Sequence, residues 1–132
     1  LSRADFNKVL VLDQDPDFLN QLSQGFSNEP YELLLATTVE QGLRLLGETR
    51  PALLVVDYSL QPALQATLRE NSRTALPPIL VTLQGHDPDE EAVLAAFERG
   101  ADDLACKPMS VAWLKTRFRI WLSRSGHCRK PS

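Results

Sequence analysis

Side chains able to do chemistry stand where apolar runs stop. The run Val9-Leu10-Val11-Leu12 breaks into Asp13-Gln14-Asp15, Leu53–Val56 into Asp57, and Leu104–Cys106 into Lys107, while Thr82 sits near the end of Ile79–Leu83. The steps from Asp57 to Thr82 and from Thr82 to Lys107 are both 25 residues, one strand and helix unit each. Acids, a hydroxyl and an amine at the ends of successive strands describe a spot able to hold a cation or a phosphoryl group. In an open parallel sheet ligands sit beyond the carboxyl ends of the strands, which is where these residues would converge.

The runs that carry them are short and apolar at every position: Val9–Leu12, Leu33–Ala36, Leu53–Val56, Ile79–Leu83 and the weaker Leu104–Cys106. That pattern predicts strands buried on both faces of a parallel sheet. Helical spacing follows each of them. Phe18, Leu19, Leu22 and Phe26 mark a first helix, Val39, Leu43 and Leu46 a second, and Leu64 and Leu68, after Pro62, a shorter third. The fourth has Asp87 as the expected N-cap, Pro88 at its first position, acids Asp89, Glu90 and Glu91 in the first turn, and Gly100 as its stop. The last starts at Ser110 and carries Val111, Leu114, Phe118 and Leu122 on one stripe. Five strands alternating with five helices predict an α/β fold, a parallel sheet with helices on both faces.

The 132 residues, 43% of them apolar, suit one domain with a single core. No apolar run approaches the ~20 residues of a membrane span, and LSRADFNK lacks the order of a signal peptide, so a cytoplasmic protein is expected. Cys106, expected to be a core thiol, and Cys128 lack metal or redox spacing, and His86 and His127 read as surface residues. The net charge of −3 conceals an asymmetry: residues 1–106 carry −10, whereas residues 107–132 hold seven bases and no acid. Either a negatively charged partner or a solvated helix face followed by a linker accounts for that block.

The pieces KVLVLDQDPDFL, PALLVVDYSL, PPILVT and GADDLACKP together resemble the receiver domains of two-component response regulators, over residues 8–124. Residues 1–7 are then an N-terminal extension and 125–132 a tail or linker. The resemblance implies a flavodoxin-like (βα)5 fold with strand order 2-1-3-4-5 and a cis Lys107-Pro108 bond. It makes Asp57 the phosphoryl acceptor from a sensor histidine kinase, a phosphotransfer protein or a small acyl phosphate. It also implies Mg²⁺ held by Asp13, the Gln14 position, Asp57 and the carbonyl of Ser59, with Thr82 and Lys107 binding the phosphoryl oxygens.

Four positions depart from that family's pattern. Gln14 stands in place of the second of two adjacent acids, and Asp15 is expected to cap the helix that begins at Pro16 rather than replace it. Leu83 follows the threonine where a small residue is usual, and is expected to crowd the pocket. Leu104 occupies the aromatic switch position. YSLQPALQ shortens the loop after Asp57, so the third helix should start early or be irregular. Weakened phosphorylation is expected, with a non-phosphorylated protein-interaction module as the alternative.

On the last helix Trp113, Arg117, Ile120 and Arg124 fall opposite the core stripe, at ~100° per residue. Tryptophan and arginine are enriched at interface hot spots, so this side is a candidate partner face. In the resembled family it belongs to a surface used for dimers and effectors, and an output domain could lie elsewhere in a longer chain. The acidic start of the fourth helix and this basic helix could pair across a two-fold.

Rival readings are weaker. Asp13-Gln14-Asp15 has the D-x-D spacing of haloacid-dehalogenase-type phosphatases, with Asp102-Asp103 as a conceivable later acidic pair. That pair precedes Lys107, whereas in those enzymes it follows the lysine. No glycine cluster follows the first strand to admit a pyrophosphate, the nearest glycine being Gly25. The tail offers few bases and no groove-fitting element, so direct nucleic-acid binding by this domain is not expected. No turnover of a separate substrate is expected.

Overall fold

A computed structural model describes residues 7–70, 76–85 and 87–125. In it β1 (Lys8–Leu12), α1 (Pro16–Gly25), β2 (Glu32–Ala36), α2 (Val39–Thr49) and β3 (Leu53–Asp57) are followed by a single 3-10 turn, Tyr58–Leu60. Then come α3 (Gln61–Glu70), β4 (Ile79–Gln84), α4 (Glu90–Glu98), β5 (Asp103–Lys107) and α5 (Val111–Ser125). The five strands form one parallel sheet in the order β2-β1-β3-β4-β5. This is the expected fold.

Successive strand residues face opposite sides, and both sides are covered. Val9, Val11, Leu53, Val55, Leu80 and Ala105 pack with α1 and α5, around Phe18, Leu22, Leu114 and Phe118. Leu10, Leu12, Leu54, Val56, Ile79 and Val81 pack on the other side with Leu46, Leu64 and Ala96. A strand that buries both faces has no polar positions, which is why these runs are apolar throughout.

Helix starts follow local chemistry in two cases and tertiary packing in a third. Asp15 caps α1, its carboxylate accepting from the Asp17 N–H at 3.0 Å, with Pro16 at the first helical position. Thr38 caps α2 through the Gln41 N–H. The fourth helix begins at Glu90 rather than Pro88, and Asp89, not Asp87, takes the cap position without a side-chain hydrogen bond. Its placement follows from docking: Ala96 is fully buried on the sheet, and its carbonyl accepts from the buried Gln61 amide at 2.9 Å. As the shortened loop requires, α3 starts directly after the 3-10 turn. Gly100 ends α4 at φ 110°, a conformation that side chains disfavour.

Cys106 is half-buried rather than a core residue, because β5 is the edge strand and its outer face is incompletely covered. His86, His127, Cys128, residues 1–6 and the tail from residue 126 lie outside the described residues. Among the described residues no helix is long and apolar enough to cross a membrane.

Candidate site at the carboxyl ends of the strands

Lys107 organises the site. It ends β5, and its ammonium donates to Asp13 Oδ2 at 2.7 Å and to Asp57 Oδ1 at 3.1 Å, joining residues 94 and 50 positions away. The Phe18 ring lies 4.4 Å from the same nitrogen. Asp13 is 2% exposed and Lys107 5%, so the charges interact with little screening by water. Asp13 Oδ1 also accepts from the Asp15 N–H at 2.9 Å, which folds the loop over the end of β1.

Asp57 is held from its other side by its own turn. Its Oδ2 accepts from the Ser59 N–H at 3.1 Å and from the Ser59 hydroxyl, so the carboxylate caps the 3-10 turn. Burial pushes its pKa upward, but the Ser59 hydroxyl and the Lys107 ammonium outweigh burial and hold Asp57 below its ordinary 3.8. Burial likewise opposes charge on Lys107, and the two carboxylates outweigh it, raising the lysine above its ordinary 10.5. Both shifts favour the charged forms, and with Asp13 the cluster sets two acids against one base. The cluster therefore carries one net negative charge.

Thr82 pairs with Asp57 across β3 and β4. It is fully buried, and its Oγ1 has no hydrogen-bond partner. An orphaned buried hydroxyl costs stability, roughly 1–3 kcal/mol. Strand alternation puts the buried Leu83 on the sheet face opposite Thr82. Leu104 is half-buried against the α4 side of the core. The Lys107-Pro108 bond is cis, as expected.

Of the expected metal ligands, Asp13 and Asp57 are brought together on Lys107. Gln14 is exposed, leaving Asp13 and Asp57 as the carboxylates, and one oxygen of each is engaged by Lys107. Among the described residues no group of three or more His, Cys, Asp or Glu side chains is placed to hold a metal. Mg²⁺ is commonly held by one or two carboxylates together with waters and phosphate oxygens, so Asp13 and Asp57 would fit it, with less charge than a second acid at position 14 would bring.

The candidate partner face needs one correction. Trp113, Ile120 and Arg124 are exposed, as the helical spacing requires. Arg117 is half-buried: its Nε and Nη2 donate to Asp103 Oδ2, which also accepts from Trp121 Nε1 at 2.8 Å. Asp103 opens β5, and this clamp docks α5 on the strand, so Arg117 is partly structural. Sequence reasoning missed it, because an Asp and an Arg 14 residues apart carry no periodic signal. It missed also that Leu94 and Phe97 of α4 are exposed, although AVLAAF is apolar all round and could have shown it. Asp102 accepts from the Ile79 N–H, so the Asp102-Asp103 pair stands at the opposite end of the sheet from Asp13. The D-x-D arrangement therefore gains no later acidic partner there, and Asp15 is spent as a helix cap.

No family model matches the chain. It is 31% identical over 118 residues to the transcriptional regulatory protein AfsQ1 of Streptomyces coelicolor, covering 88% of this chain and 51% of that protein. It is 32% identical over 122 residues to the transcriptional regulatory protein PrrA of Mycobacterium leprae, covering 90% of this chain and 51% of that protein. The chain thus spans about half the length of the curated relatives it matches. Among solved structures, a response regulator from Chloroflexus aurantiacus superposes with a TM-score of 0.75 at 27% identity, over 90% of this chain and 99% of that one. The signal receiver domain of an HD domain-containing protein from Pseudomonas fluorescens shares the fold, with a TM-score of 0.78 at 23% identity over 100% of this chain and 98% of that one. With the sheet order, the acidic pocket and its bridging lysine already in place, these likenesses make the chain a receiver domain of the response-regulator family.

Proposed function

We propose that the chain receives a signal in a two-component phosphorelay, with Asp57 as a weakened phosphoryl acceptor, and passes it on by protein contacts beside the edge strand. The observation that carries this is the Lys107 ammonium set between Asp13 and Asp57, with the unpartnered Thr82 hydroxyl on the adjoining strand. In the reaction a carboxylate oxygen of Asp57 attacks the phosphorus of a phosphohistidine or an acyl phosphate. The P–N or P–O bond breaks, its electron pair leaves with the imidazole or carboxylate, and an aspartyl phosphate remains. Lys107 offsets the charge that gathers on the phosphoryl oxygens, and Thr82 donates to one of them.

Weakness has two physical causes. Asp57 must give up the Ser59 hydroxyl and backbone N–H that now hold its Oδ2. Phosphorylation also adds negative charge to a cluster already net negative, and Gln14 brings none of the metal-binding charge that a second acid would bring. A non-phosphorylated interaction module is the alternative, favoured by the same clamp on Asp57.

For delivery of the signal, four of the five large exposed apolar side chains among the described residues flank β5: Leu94 and Phe97 on α4, Trp113 and Ile120 on α5. The same two helices carry acids, Glu90 and Glu91 on α4, and a base, Arg124 on α5, which suits a second copy related by a two-fold. The partners proposed are a sensor kinase or phosphotransfer protein, a second copy, and an output domain in a longer cytoplasmic chain.

The test is intact mass after incubation with acetyl phosphate, with and without Mg²⁺, using Asp57→Asn as control. A slowly forming adduct lost in the control is the expected result. No adduct on folded protein would leave the interaction module. Sedimentation tests the dimer: a concentration-independent monomer mass up to high micromolar would remove it.

A further inference from the structure

The 3-10 turn that carries the clamp on Asp57 is closed at both ends. At the first end Ser59 donates to Asp57 Oδ2 through its N–H and its hydroxyl. At the other, the backbone N–H of Gln61 donates to the Tyr58 carbonyl. The side chain of Gln61 leaves the turn altogether. It is buried, and its amide donates at 2.9 Å to the carbonyl of Ala96 on α4, 35 residues along the chain. That carbonyl also accepts from the Ala101 N–H at 3.1 Å, so one oxygen serves both the end of α4 and the start of α3. Tyr58 reaches the same place, its ring centroid lying 5.2 Å from the Arg99 guanidinium that follows α4.

A single residue is thus bonded to the acceptor's turn through its backbone and to α4 through its side chain. We propose, on the reading of Asp57 as the acceptor, that Gln61 is a positioning residue for it, through which α4 sets how firmly the Ser59 clamp closes. The physical reason is the shortness of the turn. Only Tyr58, Ser59 and Leu60 separate the acceptor from Gln61, so a change at the Asp57 cap has few torsions in which to dissipate before it meets the bond to Ala96. In the other direction, a partner that grips the exposed Leu94 and Phe97 and draws α4 outward pulls on Gln61 and loosens the clamp. The coupling is reciprocal: a partner favouring the open clamp binds the phosphorylated chain more tightly. The link runs along the loop after Asp57, and it does not use the Leu104 position where the resembled family carries its aromatic switch.

The experiment compares the parent chain with Ser59→Ala, Gln61→Met and the double variant. Gln61→Met should fold, because it removes the buried, unpartnered Oε1 together with the amide, and Ala96 keeps its bond from Ala101. In amide NMR, Ser59→Ala should shift the Ala96 and Phe97 signals of the parent, and most of that shift should vanish when the same change is made in Gln61→Met. In intact-mass measurements with acetyl phosphate and Mg²⁺, Ser59→Ala should speed adduct formation about tenfold, the scale of one hydrogen bond to a charged group. Gln61→Met should speed it by less, and the double variant should fall short of the product of the two effects. Equal α4 shifts in both backgrounds would overturn the link, as would their absence or independent, multiplicative rates. The shifts need no phosphorylation, so they decide the link even where the absence of any adduct removes the acceptor reading.

Discussion

The two ends of β5 each anchor a charge cluster, and they differ in their balance. At its amino end one acid, Asp103, meets one guanidinium and one indole N–H, a neutral and half-exposed arrangement that docks α5. At its carboxyl end one ammonium meets two acids, and the cluster is buried and net negative. Balanced pairs of the first kind hold a fold together. An unbalanced cluster of the second kind costs stability, and here it sets a carboxylate beside an unpartnered hydroxyl.

If that contrast is right, removing the central charge at the two ends should not cost the same. Lys107→Met leaves the buried Asp13 facing the half-buried Asp57 and should destabilise by about 3–5 kcal/mol at pH 7 in urea unfolding. Adding Asp13→Asn should recover much of the loss. Asp103→Ala should cost less, about 1–3 kcal/mol, and increase hydrogen exchange along α5. Equal losses would dissolve the comparison.

Gln14→Asp sharpens it from the other direction by adding the missing carboxylate. Mg²⁺ binding and Mg²⁺-dependent adduct formation at Asp57 should rise on the order of tenfold, the scale on which even supporting groups move metal affinity. In the absence of metal the variant should be slightly less stable than the parent. The pH dependence has a defined sign at each limit. Asp57, held below 3.8, contributes stability above that value that disappears as the pH falls through its folded-state pKa. Lys107, held above 10.5, contributes stability below that value that disappears as the pH rises through its own. Carboxyl-carbon NMR should place the Asp57 midpoint below 3.8, and Ser59→Ala should move it upward. The smallest effect is at the nearby cap, where Asp15→Ala should cost about 1 kcal/mol without altering the Asp57 midpoint.

The amino-acid sequence by itself determined the strands, their burial on both faces, the helix stripes and the chemistry at the strand ends. Alternation and 3.6-residue spacing are local, and Asp13, Asp57, Thr82 and Lys107 each stand at or near the end of a strand whose direction a parallel sheet shares. The exposure of Trp113 and Ile120 was legible for the same reason. Tertiary structure alone decided how the charges are partnered. Lys107 reaches Asp13 across 94 residues and Arg117 turns inward to Asp103, because burial of opposite charges selects partners by space and not by sequence. The start of α4 moved from Pro88 to Glu90 because docking of Ala96 outweighed the local capping signal.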